Sequence, residues 1–328
     1  MIVEALEKIL SDHCAVADVR RIEAGGSASL LWDNVEQGGF LELLAPAASG
    51  GAALPLSELF GVFECLGRYA MPLPIAQAIV ARALVEDSQN LPAGQITLAS
   101  HLQRAADGSV HCPLTPYGAH AAHVLAWDGS AMFMLSALTA RRESVGDARA
   151  LTANLHWDDA SAMVPVAGHG PALLPFAAAL VSALQCGIMQ RMLEMSLDYC
   201  NQRVQFGKPL GKFQAIQQQL SVMAEHVMAG RVAAESAFGG GERLPGLLAA
   251  AMAKARTSEA GALVAATAHA VHGAIGVTDE YDLGVLTRRL HDWRTAYGAE
   301  NHWNTLMGRC LLESRESPLD FVRGAWRA

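Results

Sequence analysis

Apolar residues recur at three- and four-residue spacing through Met1–Asp12 and Leu56–Tyr69, the pattern of helices that bury one face. Gly50–Gly51 and the Pro72/Pro74 pair punctuate these segments. A small helical domain over residues 1–92 is therefore expected. From residue 93 the period changes: GQITLAS, HVLAWDG, AMFMLSAL and ANLHWDD are short apolar runs broken by Gly, Asp and Ser, which suits strands. They predict a compact, reduced antiparallel β domain over 93–168. Beyond it, LLPFAAALVSALQCGIMQRMLEMSLDYCNQR, FQAIQQQLSVMAEHVMAGRVAAESAF, LPGLLAAAMAKARTSEAGALVAATAHAVHG and DLGVLTRRLHDWRTAYG read as long helices with short Gly/Pro-bearing breaks. Long helices joined by short loops pack as antiparallel neighbours. The fold class is thus α+β, mainly α, ending in a C-terminal four-helix bundle over 169–328.

Composition changes this picture at a few points. Apolar residues make up 52% and charged residues 17%, so the chain is rich in core material and is not a disordered protein. The 20 residues from Pro171 to Gln190 carry no formal charge and approach a membrane-spanning length. Their reliance on Ala, together with Pro175, Ser182, Gln185 and Gly187, points instead to the central helix of a bundle, with no membrane span. The net charge of −8, without clusters of Lys and Arg, excludes a nucleic-acid surface. The six cysteines are scattered without CxxC spacing, so they read as reduced thiols and not as a metal site. The acidic residues in MIVEALEKILSDH do not fit a secretion signal, and a cytoplasmic location is expected.

The most specific stretch is RVQFGKPLGKFQAIQQ at 203–218. Arg203 is a planar, permanently charged group suited to a pyrophosphate. The Gly207–Lys208–Pro209 turn sets it ahead of a new helix, whose first amides also favour anions. Phe206 offers a flat apolar surface; the residue types alone also allow Arg203 to cap the preceding helix and Phe206 to fill core. The stretch resembles the signature of the acyl-CoA dehydrogenase family, in which an Arg-x-x-Phe-Gly loop separates two helices of the C-terminal bundle. WDNVEQGGFLELLAPAASGG, ELFGVFECLGR and HGAIGVTDEYDLGVLTRRL extend the resemblance over most of the chain.

That resemblance implies an FAD flavoprotein whose loop reaches across a subunit interface. Arg203 would meet the pyrophosphate, with Phe206 and Gln214 lying along the cofactor; Gln217, Gln218 and Ser221 share the helical face of Gln214. The turn His272–Gly273–Ala274–Ile275–Gly276 resembles the family's glycine-rich turn beside the adenosine part, where glycine lets backbone approach. Ala270 stands where relatives often have Gln.

The reaction implied is α,β-dehydrogenation of an acyl-CoA thioester: a carboxylate takes the α-proton while the β-hydrogen leaves as hydride to the flavin. The base is missing here. Tyr297–Gly298–Ala299–Glu300 corresponds to the family's Tyr-Glu-Gly-Thr turn, which puts Gly298 at the base position. The alternative position, 29 residues before Phe206, holds Ala177. Glu300 is a displaced candidate, and a shift of that size normally costs orders of magnitude in rate. Asp292, among Arg288, Arg289 and Arg294, reads as an ion-pair partner. The family's Thr-Glu-Pro-x-x-Gly-Ser-Asp loop, which holds the flavin ring, has no counterpart in ASHLQRAADGSVHCPLTPYGAHAAH.

Both absences imply a shorter, non-base-bearing subunit completing a hetero-oligomer with a longer homologous chain. Some family members, notably those of bacterial steroid side-chain degradation, look like heterotetramers of two related chains, and their shorter chain resembles this one through 272–298. The same resemblance implies CoA thioesters of bulky acyl groups as substrates and an electron-transferring flavoprotein as acceptor. Two other readings remain: a self-sufficient homo-oligomer using Glu300, and a non-enzymatic acyl-CoA-binding scaffold of the same fold.

Overall fold

Leu6 and Leu10, one helical turn apart, are the buried residues of helix α1 (Ile2–His13), which packs on α4 (Leu56–Arg68). With α2 (Val16–Glu23), α3 (Ser29–Gln37) and α5 (Ile75–Leu84) they form the N-terminal region of this computed structural model, which describes residues 1–146, 149–239 and 241–327. All ten residues of α5 are buried, and its one cation, Arg82, is neutralised by Glu42 at 2.5 Å.

Eight strands follow: β1 (Ile96–Ala99), β2 (Gln103–Arg104), β3 (Val110–Thr115), β4 (His123–Trp127), β5 (Met132–Ser136), β6 (Arg141–Ser144), β7 (Ala153–Trp157) and β8 (Met163–Val166). They make two four-stranded sheets, ordered β1-β4-β5-β8 and β2-β3-β7-β6. Val110, Cys112, Leu135, Leu155 and Trp157 fill the core between them. Four strands coincide with the apolar runs in the sequence; β2, β3, β6 and β8 are polar or proline-bearing and show no such run. The pairing is antiparallel except for β1 with β4, which is parallel. The reason is topological: the chain leaves β1 for β2 and β3 of the other sheet, and that long excursion lets it re-enter beside β1 in the same direction.

The C-terminal region comprises α6 (Leu173–Gln202), a two-stranded hairpin of β9 (Val204–Gln205) and β10 (Lys208–Pro209), α7 (Gln214–Ser236), α8 (Leu247–His272), α9 (Leu283–Thr295), α10 (Glu300–Ser314) and α11 (Pro318–Arg327). The four long helices read from the sequence are α6 to α9, and α10 and α11 continue past them. The most apolar stretch of α6 is 89% buried, so the segment of membrane-spanning length is the axis of the bundle. It also ties the bundle to the N-terminal region through two glycines. A Cβ on Gly67 would lie 2.1 Å from the Leu184 carbonyl oxygen, and one on Gly187 would lie 1.9 Å from that of Glu64. Helices α4 and α6 therefore meet backbone to backbone, and one continuous apolar core serves both regions.

Candidate functional site

The chain has two chemically distinct places of interest, at opposite ends of α6. At its N-terminal end is a cavity of about 360 Å³, bounded by the segment after β1, the end of β3, Leu174 of α6, the α9–α10 connection and the first turn of α10. Tyr297 and Gly298 in that connection have φ of +55° and +98°. Such a backbone needs support. The Tyr297 hydroxyl donates to the Leu98 carbonyl at 3.2 Å, and Trp303 Nε1 donates to the Gly298 carbonyl at 3.2 Å. Lys254, fully buried on α8, spends its three donors on Ser258 Oγ (2.9 Å), the Arg294 carbonyl (2.8 Å) and the Gly298 carbonyl (2.9 Å). Burial pulls its pKa down to about 7.

No carboxylate lines this cavity among the described residues. A Cβ at Gly298 would lie 2.8 Å from Cδ2 of His302, so the imidazole occupies the direction in which a residue-298 side chain would point. Ala177 is fully buried in the bundle core, away from the cavity wall; Leu174, nearly one turn earlier, lines it. Glu300 is the first residue of α10, where a carboxylate favours the helix dipole. Both of its oxygens accept from Arg294, one of them from Nε at 3.1 Å. That guanidinium holds its pKa below the usual carboxylate range. Arg288 and Arg289, near Asp292 in sequence, pair with Glu23.

At the other end of α6 lies the Arg203–Gln214 segment. Gln205 pairs with Lys208, leaving a two-residue turn of Phe206 and Gly207 with φ of +51° and +81°. Two positive φ values in a two-residue hairpin loop are the type I′ requirement, and phenylalanine is an uncommon residue to meet it. Phe206 is 90% exposed, touching Phe213 edge to face at 6.2 Å. Arg203 is exposed, with no ion pair to it among the described residues. Gln214 is exposed as the first residue of α7, beside that helix's free N-terminal amides.

The 272–276 turn is at this same end. His272 is 3% exposed, its Nδ1 lies 2.7 Å from the Ala268 carbonyl, and its ring stacks on Tyr199 of α6 at 4.5 Å. Its ring belongs to the core, so the turn offers solvent the backbone of Gly273, with φ of +63° and open space around it, and the exposed Ala274 and Ile275; Gly276 is buried. The structure thus gathers the residues expected to hold a cofactor at one end and both expected base positions elsewhere. A 30-residue helix is about 45 Å long. That is far beyond the reach of one flavin dinucleotide, so the Arg203 loop and the Gly298 cavity of one chain cannot serve the same cofactor molecule. The exposed cation, flat ring, helix terminus and open Gly273 backbone fit the pyrophosphate side of FAD.

Sequence reasoning missed Lys254, His302 and Tyr199. Lys254 did leave a signal: a lone charge within the alanine-rich stretch LLAAAMAKA is seldom buried without a purpose.

Comparison with known proteins bears on the fold and the family. Residues 172–311 match the family model described as the C-terminal domain of acyl-CoA dehydrogenase. The acyl-CoA dehydrogenase IpdE2 of Mycobacterium tuberculosis is 28% identical over 298 residues, 89% of this chain and 90% of that one. Among solved structures, a chain of the ChsE4-ChsE5 complex from Mycobacterium tuberculosis superposes with a TM-score of 0.80 at 22% identity, covering 96% of both chains. A chain of the Tcur3481-Tcur3483 steroid acyl-CoA dehydrogenase variant gives 0.79 at 25% identity over 96% of this chain and 98% of that one. With its helix–sheet–helix order and these relatives, the chain has the acyl-CoA dehydrogenase fold, and its residues 172–311 match that family's C-terminal domain.

Proposed function

We propose that the chain is the non-base-bearing subunit of a hetero-oligomeric acyl-CoA dehydrogenase, paired with a longer homologous chain in a cytoplasmic tetramer of two of each. The observation that carries this reading is the separation just described. The cavity at Gly298 has no carboxylate, while the cofactor-facing edge lies about 45 Å away along α6 and opens outward. Such an edge is useful only to a cofactor seated mainly on another polypeptide. FAD, when bound, supplies the hydride acceptor. Arg203 neutralises pyrophosphate charge, Phe206 covers an apolar face, and Gly273 lets the backbone approach the adenosine side. The α-proton is then taken by the partner's carboxylate.

The relatives favour the same arrangement, since two of the similar structures are the ChsE4-ChsE5 complex and the Tcur3481-Tcur3483 steroid acyl-CoA dehydrogenase variant. Substrates are therefore proposed to be CoA thioesters of bulky, steroid-like acyl groups, with electrons leaving to an electron-transferring flavoprotein. A self-sufficient enzyme using Glu300 is disfavoured by the Arg294 ion pair, which lowers the basicity of that carboxylate.

The chain should be purified alone and with its longer homologue, and flavin absorbance and acyl-CoA oxidation measured on both. The reading expects a colourless chain alone and a yellow, active complex. Stoichiometric FAD and turnover in the isolated chain would replace it with the self-sufficient enzyme; no flavin in either preparation would leave a binding scaffold.

A further inference from the structure

Dehydrogenation of an acyl thioester needs a proton acceptor at the α-carbon, and the cavity at Gly298 offers an unexpected one. Its hydroxyls are spent within the protein: Thr115 Oγ1 donates to Cys112 at 3.1 Å, Thr295 Oγ1 to Asp292 at 3.1 Å, and Tyr297 to Leu98 at 3.2 Å, each to a backbone carbonyl. Ser100 Oγ sits 3.0 Å from Nδ1 of His101. What remains open to a ligand is imidazole, on His101 and His302, with the amide of Gln103. His302 is the better placed. Its ring stands where a residue-298 side chain would project, 2.8 Å from that Cβ direction, and rests edge-on against Trp303 with centroids 5.0 Å apart.

We propose that His302 is a proton acceptor for acyl-CoA thioesters bound in this cavity, giving the chain a flavin-independent α-proton exchange activity of its own. A ring nitrogen of His302 takes the α-proton, and the C–H electron pair moves into the thioester as an enolate. The imidazolium then returns a proton to the same carbon, so the thioester is regenerated and nothing is oxidised or reduced. Facing His302 are His101 from the segment after β1 and Lys254 from α8. Covering of the ring, together with these two groups, holds its pKa below the usual imidazole value, so the neutral, proton-accepting form prevails at pH 7. The inference depends on the proposed function only in taking an acyl-CoA as the ligand.

The test uses the full chain purified alone, with cyclohexanecarbonyl-CoA as probe because it has a single α-hydrogen. Binding is followed by tryptophan fluorescence, and deuterium uptake from deuterium oxide by mass spectrometry. The expected results are binding and uptake well above the buffer rate, rising as His302 deprotonates. His302→Ala and His302→Gln should each lower uptake roughly 100-fold at unchanged thermal midpoint, with added imidazole restoring part of it in His302→Ala. No binding, uptake at the buffer rate, or uptake unchanged in both variants would overturn the proposal. Flavin content of the co-purified complex does not depend on His302, so failure here is distinguishable from failure of the partner-subunit reading.

Discussion

The Lys254 ammonium donates to the Gly298 carbonyl at 2.9 Å, so the residue expected from the sequence at the base position is held from within the bundle by a buried cation. The same ammonium holds the Arg294 carbonyl at 2.8 Å, and Arg294 in turn binds Glu300. One lysine thus fixes both ends of the α9–α10 connection and its two positive φ values.

This makes the stability of the chain depend on pH. Burial places the Lys254 pKa at about 7, whereas an unfolded lysine titrates at about 10.4. Between these values the unfolded chain binds more protons, so this group's contribution rises with pH from about 7 upward. Thermal midpoints of the wild type and Lys254→Met, measured from pH 7 to 9, should show the wild type gaining on the variant. Parallel curves would refute it; thiols raised by burial, such as Cys14, act in the opposite sense but equally in both proteins.

Glu300 behaves as a structural carboxylate. Replacing it with Gln should destabilise the chain by about 1.5–3 kcal/mol at pH 7, the worth of a hydrogen-bonded charge pair. Its folded pKa is lowered, so the contribution is present above the ordinary carboxylate range and disappears as pH falls through the lowered value. Denaturant melts at pH 7 and pH 3 check this. Acyl-CoA oxidation by the complex should survive the substitution; a loss of several orders of magnitude would identify Glu300 as the base.

Close contact between α4 and α6 leaves no room for a methyl group at Gly187. Gly187→Ala should cost about 1–3 kcal/mol or more, since it pushes against the Glu64 carbonyl. Gly308 of α10 provides the control: nothing lies near its Cβ direction, and Gly308→Ala should stabilise by up to about 1 kcal/mol. Equal effects from the two substitutions would contradict the packing described.

Phe206 combines an unfavourable positive φ with a fully presented ring. Phe206→Gly should stabilise the isolated chain by up to about 1 kcal/mol by relieving the positive φ, yet lower the flavin content of the complex. Arg203→Ala should lower flavin content with no change in the chain's thermal midpoint, and Arg203→Lys should not restore it, because an ammonium lacks the planar fork. Flavin retained in all three variants would remove this loop from the cofactor.

Hydrophobic periodicity alone located the helix–sheet–helix order, the core role of the segment around Pro171–Gln190 and the helix starts near Ile2 and Leu56, because burial of one face repeats at the period of the element that buries it. Local residue chemistry marked Arg203 and Phe206, since a turn and its flanking side chains are neighbours in sequence. Tertiary structure decided the rest. The parallel pairing of β1 with β4 depends on a chain path through a second sheet, which no local pattern records. That His302 fills the direction left open by Gly298, that Lys254 braces the connection, and that α6 separates the Arg203 loop from the cavity are relations between residues distant in sequence or set by the length and direction of helices. Packing brings such groups together in space, and a linear pattern of apolar and polar positions carries no record of where a side chain will end.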